Sequence, residues 1–88
     1  DHARTQVERA EVLSEAGLSE RALTGFRHAL QIDPNYSRAW HGLARILDRD
    51  GPPEEALQAY RAFISVWPHR DQRYRRAQER IRQLEMEP

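Results

Sequence analysis

Apolar residues recur along this chain at three- and four-residue steps, the rhythm of helices that bury one side, and no stretch keeps the alternating rhythm of a strand. The pattern predicts five helices. Residues 3–16 form the first, closed by Gly17, which takes a left-handed backbone at little cost. Ser19 is placed to cap a second helix over 20–32, whose apolar side carries Ala22, Leu23, Phe26, Ala29 and Leu30. Asp33-Pro34-Asn35 stops it. A third helix, 37–49, presents Trp40, Leu43, Ala44 and Leu47 and ends at Gly51. Pro52-Pro53 opens a fourth, because proline is tolerated where the first-turn amides lack partners. That helix runs to Trp67 and is expected to bury Ala56, Leu57, Tyr60, Phe63 and Ile64 before Pro68 closes it. Asp71 then caps a fifth helix to residue 85, with Tyr74, Ala77, Ile81 and Leu84 along one face and arginines over the rest.

The elements repeat. Displacing the sequence by 34 positions sets Ala10 on Ala44, Leu13 on Leu47, Gly17 on Gly51, Ala22 on Ala56, Phe26 on Tyr60, Arg27 on Arg61 and Pro34 on Pro68. A fixed period between roughly 20 and 50 residues marks a stacked architecture in which each unit shelters its apolar side against its neighbours. The expected organisation is one domain: a first repeat over 3–36, a second over 37–70, and a capping helix over 71–86. A terminal unit needs a polar outer surface because nothing stacks on it. The arginine-rich fifth helix has that character.

These residues resemble the tetratricopeptide repeat, a helix-turn-helix with the pattern W-x2-L-G-x2-Y, then A-x3-F, then P. The second unit reads Trp40-x2-Leu43-Ala44-x2-Leu47, Ala56-x3-Tyr60 and Pro68. The first keeps Ala10, Leu13, Ala22-x3-Phe26 and Pro34, but has Gln6 and Arg9 where the aromatic and the leucine belong. Tyr74, Ala77, Gln78 and Ile81 carry a third copy reduced to its first helix. The resemblance implies an all-α, right-handed solenoid of helical hairpins. Independently of it, the small residues Ala10, Ala22, Ala44 and Ala56 allow close helix pairs, and Phe26 and Tyr60 are suited to fill the gap to the next pair.

The resemblance also implies a non-catalytic protein-interaction scaffold, receiving a peptide or a partner helix on a concave surface lined by the first helix of each pair. Beside the buried stripe, the second repeat offers Arg38, His41, Arg45, Asp48 and Arg49; the first offers Arg4, Val7, Glu11, Ser14 and Glu15; the last helix offers Gln72, Arg75, Glu79 and Arg82. Arg38, Arg45, Arg49 and Arg82 are suited to bidentate contacts with the carboxylates of an acidic peptide. The competing reading pairs them across the groove with Glu11, Glu15 and Glu79. Family members that grip acidic chaperone tails use a Lys/Asn/Arg clamp. Val7, Glu11, Gly42 and Gln72 occupy clamp-type sites here and only Arg76 fits, which speaks against that ligand.

Composition narrows the remaining classes. With 14 basic and 14 acidic residues the chain has no net pull toward nucleic acid or anionic lipid, although six arginines against two acids between Arg70 and Arg82 make nucleic acid a third candidate. All of the basic residues are arginine, which reads as the coding bias of a genome. No apolar run reaches the roughly 18 residues that span a bilayer, so membrane insertion is not expected. The polar start at Asp1 reads as a segment of a longer chain with no signal peptide, and cytoplasm and periplasm stay equally open. Cysteine is absent, and the histidines at 2, 28, 41 and 69 lack metal-ligand spacing. No ordered nucleophile, base and acid stand together, so no cofactor and no catalysis are expected. Self-association is the alternative to peptide binding, because two repeats and a cap fall short of the usual stable stack.

Overall fold

The chain folds into α1 (His2–Glu15), α2 (Ser19–Ile32), α3 (Ser37–Asp50), α4 (Pro53–Val66) and α5 (Gln72–Met86) in a computed structural model that describes residues 1–86. The helices start and stop within a residue or two of the positions read from the sequence, and no strand occurs among the described residues. Local chemistry sets the ends. Asp1 accepts the backbone N–H of Ala3 at 2.9 Å, and Asp71 accepts that of Tyr74 at 3.1 Å, each filling a donor that the first turn leaves open. Gly17 and Gly51 both lie at positive φ, +82° and +83°. At the end of α1 the Leu18 N–H donates to the Leu13 carbonyl and the Gly17 N–H to the Ser14 carbonyl, the paired closure that a left-handed residue permits.

That tight closure displaces the expected cap of α2. Leu18, not Ser19, holds the cap position and offers no side-chain bond, while Ser19 is already helical and its hydroxyl accepts from Arg49 at 2.8 Å.

α1 pairs with α2 and α3 with α4, the second pair packs on the first through α2 and α3, and α5 closes over α4. The assembly measures 35 × 27 × 20 Å. Close pairing rests on small residues, since a Cβ at Gly25 would come within 2.9 Å of the Ala10 Cβ. Between the pairs, Phe26 reaches from α2 onto α3, where Gly42 leaves room for its ring.

Burial extends beyond the expected stripes. α3 buries Ala39 and Ile46 as well as Leu43, Ala44 and Leu47, and α4 buries Ala59. A helix in the middle of a stack is covered on two sides, by its own partner and by the preceding pair, and one stripe accounts for only one of them. Trp40, Leu57, Ile64 and Tyr74 are in turn only half-buried. Trp40 keeps its ring at the rim of the core so that its Nε1–H can donate to the Pro34 carbonyl at 2.8 Å, as a buried indole must find an acceptor.

The two joints of the stack differ in chemistry. At the register positions of Phe26 and Ile46, both buried and apolar, the second joint has Tyr60 and Arg80. There Asp48 accepts the Tyr60 hydroxyl at 2.9 Å and both a 3.0 Å and a 2.8 Å bond from Arg80, whose remaining nitrogen reaches Gln83 at 3.0 Å. One carboxylate thus ties α3, α4 and α5 together. Arg80 holds its carboxyl below the usual carboxylate range, and burial together with that carboxylate pushes the Tyr60 hydroxyl well up.

Candidate functional site

The first helix of each pair, α1 and α3, and the closing helix α5 line adjoining hollows that share His41 and Arg45. The larger, about 760 Å³, lies between α1 and α3. Glu11, Ser14 and Glu15 form one wall, Arg38, His41, Arg45 and Arg49 the other, and Phe26, Gly42 and Ile46 the floor. Helical spacing explains the second wall, because positions 38, 41, 45 and 49 fall on one side of α3 while 43, 44 and 47 turn toward the core.

Ion pairing divides these arginines. Arg38 grips Glu11 across the hollow in a two-pronged contact with Nε–Oε2 at 2.8 Å. Arg49 is held by Asp50 at 3.1 Å and by Ser19. Arg45 makes no hydrogen bond or ion pair among the described residues.

The second hollow, about 400 Å³, lies between α3 and α5, lined by His41, Arg45, Tyr60, Arg73, Arg76 and Ala77. Among the described residues no carboxylate lines it. Asp48, just outside, is turned to Arg80 and Tyr60. His41 packs on the Phe63 ring with centroids 5.0 Å apart, and Phe63 stacks in turn on Trp67 at 5.4 Å. Burial, with Arg45 and Arg73 adding to it and Glu11 opposing, holds the His41 imidazolium below the ordinary histidine range. His41 is therefore a mostly apolar wall with a polar edge at neutral pH.

Arg75 and Arg82 stand apart from these hollows. Arg75 lines a separate depression along α5 with Gln72, Arg76 and Glu79, and Arg82 reaches Glu79 at 3.4 Å. Val7, read beside Glu11 as groove-facing, is fully buried, because α1 turns Ala3, Val7 and Ala10 toward the interior. It is core. Arg73 was not marked as a groove residue, yet the fold brings it to His41. The signal was in the register: Arg73 and Arg76 fall 34 positions beyond Ala39 and Gly42, the small residues that let α3 close on Phe26. Long side chains at those places leave a cleft where the first joint is filled. Of the arginines near the start of α5, Arg70 is occupied by the Tyr74 ring, 4.4 Å from its centroid, and Trp67 donates to Asp71 at 3.0 Å beneath Arg73.

The tetratricopeptide-repeat model matches residues 26–58, from Phe26 through Gln58 and across the α2–α3 joint described above. Residues 26–58 are thereby assigned to a tetratricopeptide repeat. It is also similar to a TPR repeat-containing protein of Rhizobium etli, 29% identical over 84 residues, which cover 96% of this chain and 39% of that protein. The chain thus spans about two fifths of the length of that relative. Tetratricopeptide repeats generally mediate protein–protein interaction, and among the described residues no helix is long and apolar enough to cross a membrane.

Proposed function

We propose that this chain is a non-catalytic docking module that receives an extended segment of a partner protein along the face formed by α1, α3 and α5. One observation carries the reading: two hollows adjoin across all three helices, with rings and aliphatic carbon at their base and arginines along their rims. Such a surface offers apolar contact area and planar, charge-assisted donors together. The acting unit is the whole of residues 3–86, since the second hollow needs both the second repeat and the capping helix. Titration of the ¹⁵N-labelled chain with a panel of extended acidic peptides tests it. Shifts along α1, α3 and α5, at Ser14, His41, Arg45, Arg73 and Ala77, are expected, and shifts centred on Arg21, His28 and Gln58 of α2 and α4 would sink the proposal.

A second reading, self-association through α1, has one observation in its favour. Val12 is 64% exposed although it holds the register position of Ile46, which is 2% exposed. Sedimentation equilibrium separates the two readings. A monomer at high micromolar concentration rules out self-association.

A further inference from the structure

Resting on that groove reading, we propose that the cleft between α3 and α5 is the anchor of the site, where Arg45, Arg73 and Arg76 grip clustered carboxylates of an acidic partner segment beside His41. The distribution of charge argues for it. Half of the fourteen arginines hold a carboxylate within 4 Å among the described residues, and none of the three in this cleft is among them. The nearby acids are already engaged, Asp48 by Arg80 and Tyr60 and Glu79 by Arg82. Three cations from two helices therefore converge on a hollow without a counter-charge.

Size selects the occupant. A water's share of liquid is about 30 Å³, so 400 Å³ corresponds to about a dozen waters, room for two acidic side chains and more than one phosphate group fills. The walls suit such a guest. The His41 and Tyr60 rings and Ala77 pack against the methylene stems of glutamate, while each guanidinium presents a planar fork to a carboxylate. The adjoining hollow is different, because Glu11 already neutralises Arg38 and Glu15 repels a further acid there. The acidic residues of the partner belong at the α5 end.

Binding has a proton signature. His41 faces Arg45 on its own helix, Glu11 on α1, Phe63 and Tyr60 on α4, and Arg73 and Arg76 on α5. Carboxylates seated among the arginines offset the Arg45 and Arg73 repulsion that adds to burial in disfavouring the imidazolium, so the His41 midpoint rises on binding and affinity increases as pH falls through it.

The test uses a fluorescein-labelled peptide, GSGEEEEGSG, and its glutamine counterpart, GSGQQQQGSG. Fluorescence anisotropy at moderate salt is expected to show binding of the first only. Arg45→Gln, Arg73→Gln and Arg76→Gln should each weaken it about tenfold, while Arg75→Gln, which removes the same charge outside the cleft, should change it by less than about twofold. Unchanged thermal melts confirm that the variants are folded. Equal binding of the glutamine peptide, or an Arg75→Gln loss as large as that of Arg73→Gln, overturns the anchor. Displacement of the peptide by random-sequence single-stranded RNA at lower concentration, with Arg75→Gln as costly as Arg73→Gln, replaces it with a nucleic-acid face. If the glutamate peptide moves the Ser14 and Glu15 amides but ignores all three cleft variants, the anchor is refuted and the groove stands. If it leaves both hollows unmoved, both readings fall.

Discussion

A single methyl added at position 42 sets two well-measured effects against each other. In an exposed helix Gly→Ala stabilises by about 1 kcal/mol, because glycine gives up more backbone freedom on folding. In α3 the added carbon would lie 2.3, 2.5 and 2.8 Å from three atoms of the Phe26 ring, about 0.7–1.2 Å inside the lower edge of the roughly 3.5–4.0 Å of normal carbon contact. Phe26 is 1% exposed, its ring wedged between α2 and α3 beneath the floor of the larger hollow. Overpacking of this kind costs typically about 1–3 kcal/mol, and the depth of the overlap places it toward the upper end. The net for Gly42→Ala is a loss of about 1–2 kcal/mol, which at about 4–8 °C per kcal/mol lowers the melting midpoint by about 5–15 °C. Urea unfolding followed by circular dichroism reads this directly. Phe26→Leu should remove the obstacle, so that in its background Gly42→Ala regains the propensity benefit and the two changes couple by about 2 kcal/mol. A single Gly42→Ala variant more stable than the native chain would show that helix propensity decides at this position, and the account of the α2–α3 joint would be wrong.

Asp48→Asn should cost about 1–2 kcal/mol at neutral pH, between an exposed pair and a buried charge-assisted bond, because a third of the Arg80 side chain remains exposed. The folded pKa of Asp48 is depressed, so its contribution is present above the unfolded carboxylate value and lost as pH falls through the folded one. Denaturant midpoints of the native chain and Asp48→Asn should therefore converge in acid; a gap that persists there would refute the ion-pair reading. By proton NMR, His41 should titrate below the ordinary histidine range and move upward in Arg45→Gln, with folding stability declining as pH drops through the unfolded histidine value. An unmoved midpoint would show that Arg45 does not face the ring. Gly17→Ala meets no atom within 4 Å, so backbone strain alone should cost about 1 kcal/mol, and calorimetry showing no loss would deny the left-handed closure of α1.

Helix ends were legible because their punctuation is local. Gly17, Gly51, Pro34, Pro68 and Asp71 act on residues within one turn of themselves. The core was legible on the side facing each helix's own partner, and less so on the side facing the preceding pair, where Ala39 and Ile46 are buried by residues more than ten positions away. The shared register position of Val7, His41 and Arg75 shows why a motif alone does not give a surface. Val7 is buried, His41 is covered on one side by Phe63, and Arg75 is exposed on the outer side of α5. Of the candidate residues, Arg38, His41, Arg45 and Arg49 share one hollow because they share one helix. The approach of Arg73 to His41 depends on the angle at which α5 docks, which a single helix pattern does not encode.

The Asp48 joint also constrains how this array can grow. Duplicating residues 37–70 in tandem would set a second copy of Ile46 where Arg80 now stands, stranding a carboxylate and a phenol against a hydrocarbon. Such an insertion would be rejected at the seam. A phenylalanine-type seam accepts such a copy, whereas this one accepts only a following helix with a cation at the register position of Arg80, so the choice of neighbour is written into a single acid-base contact.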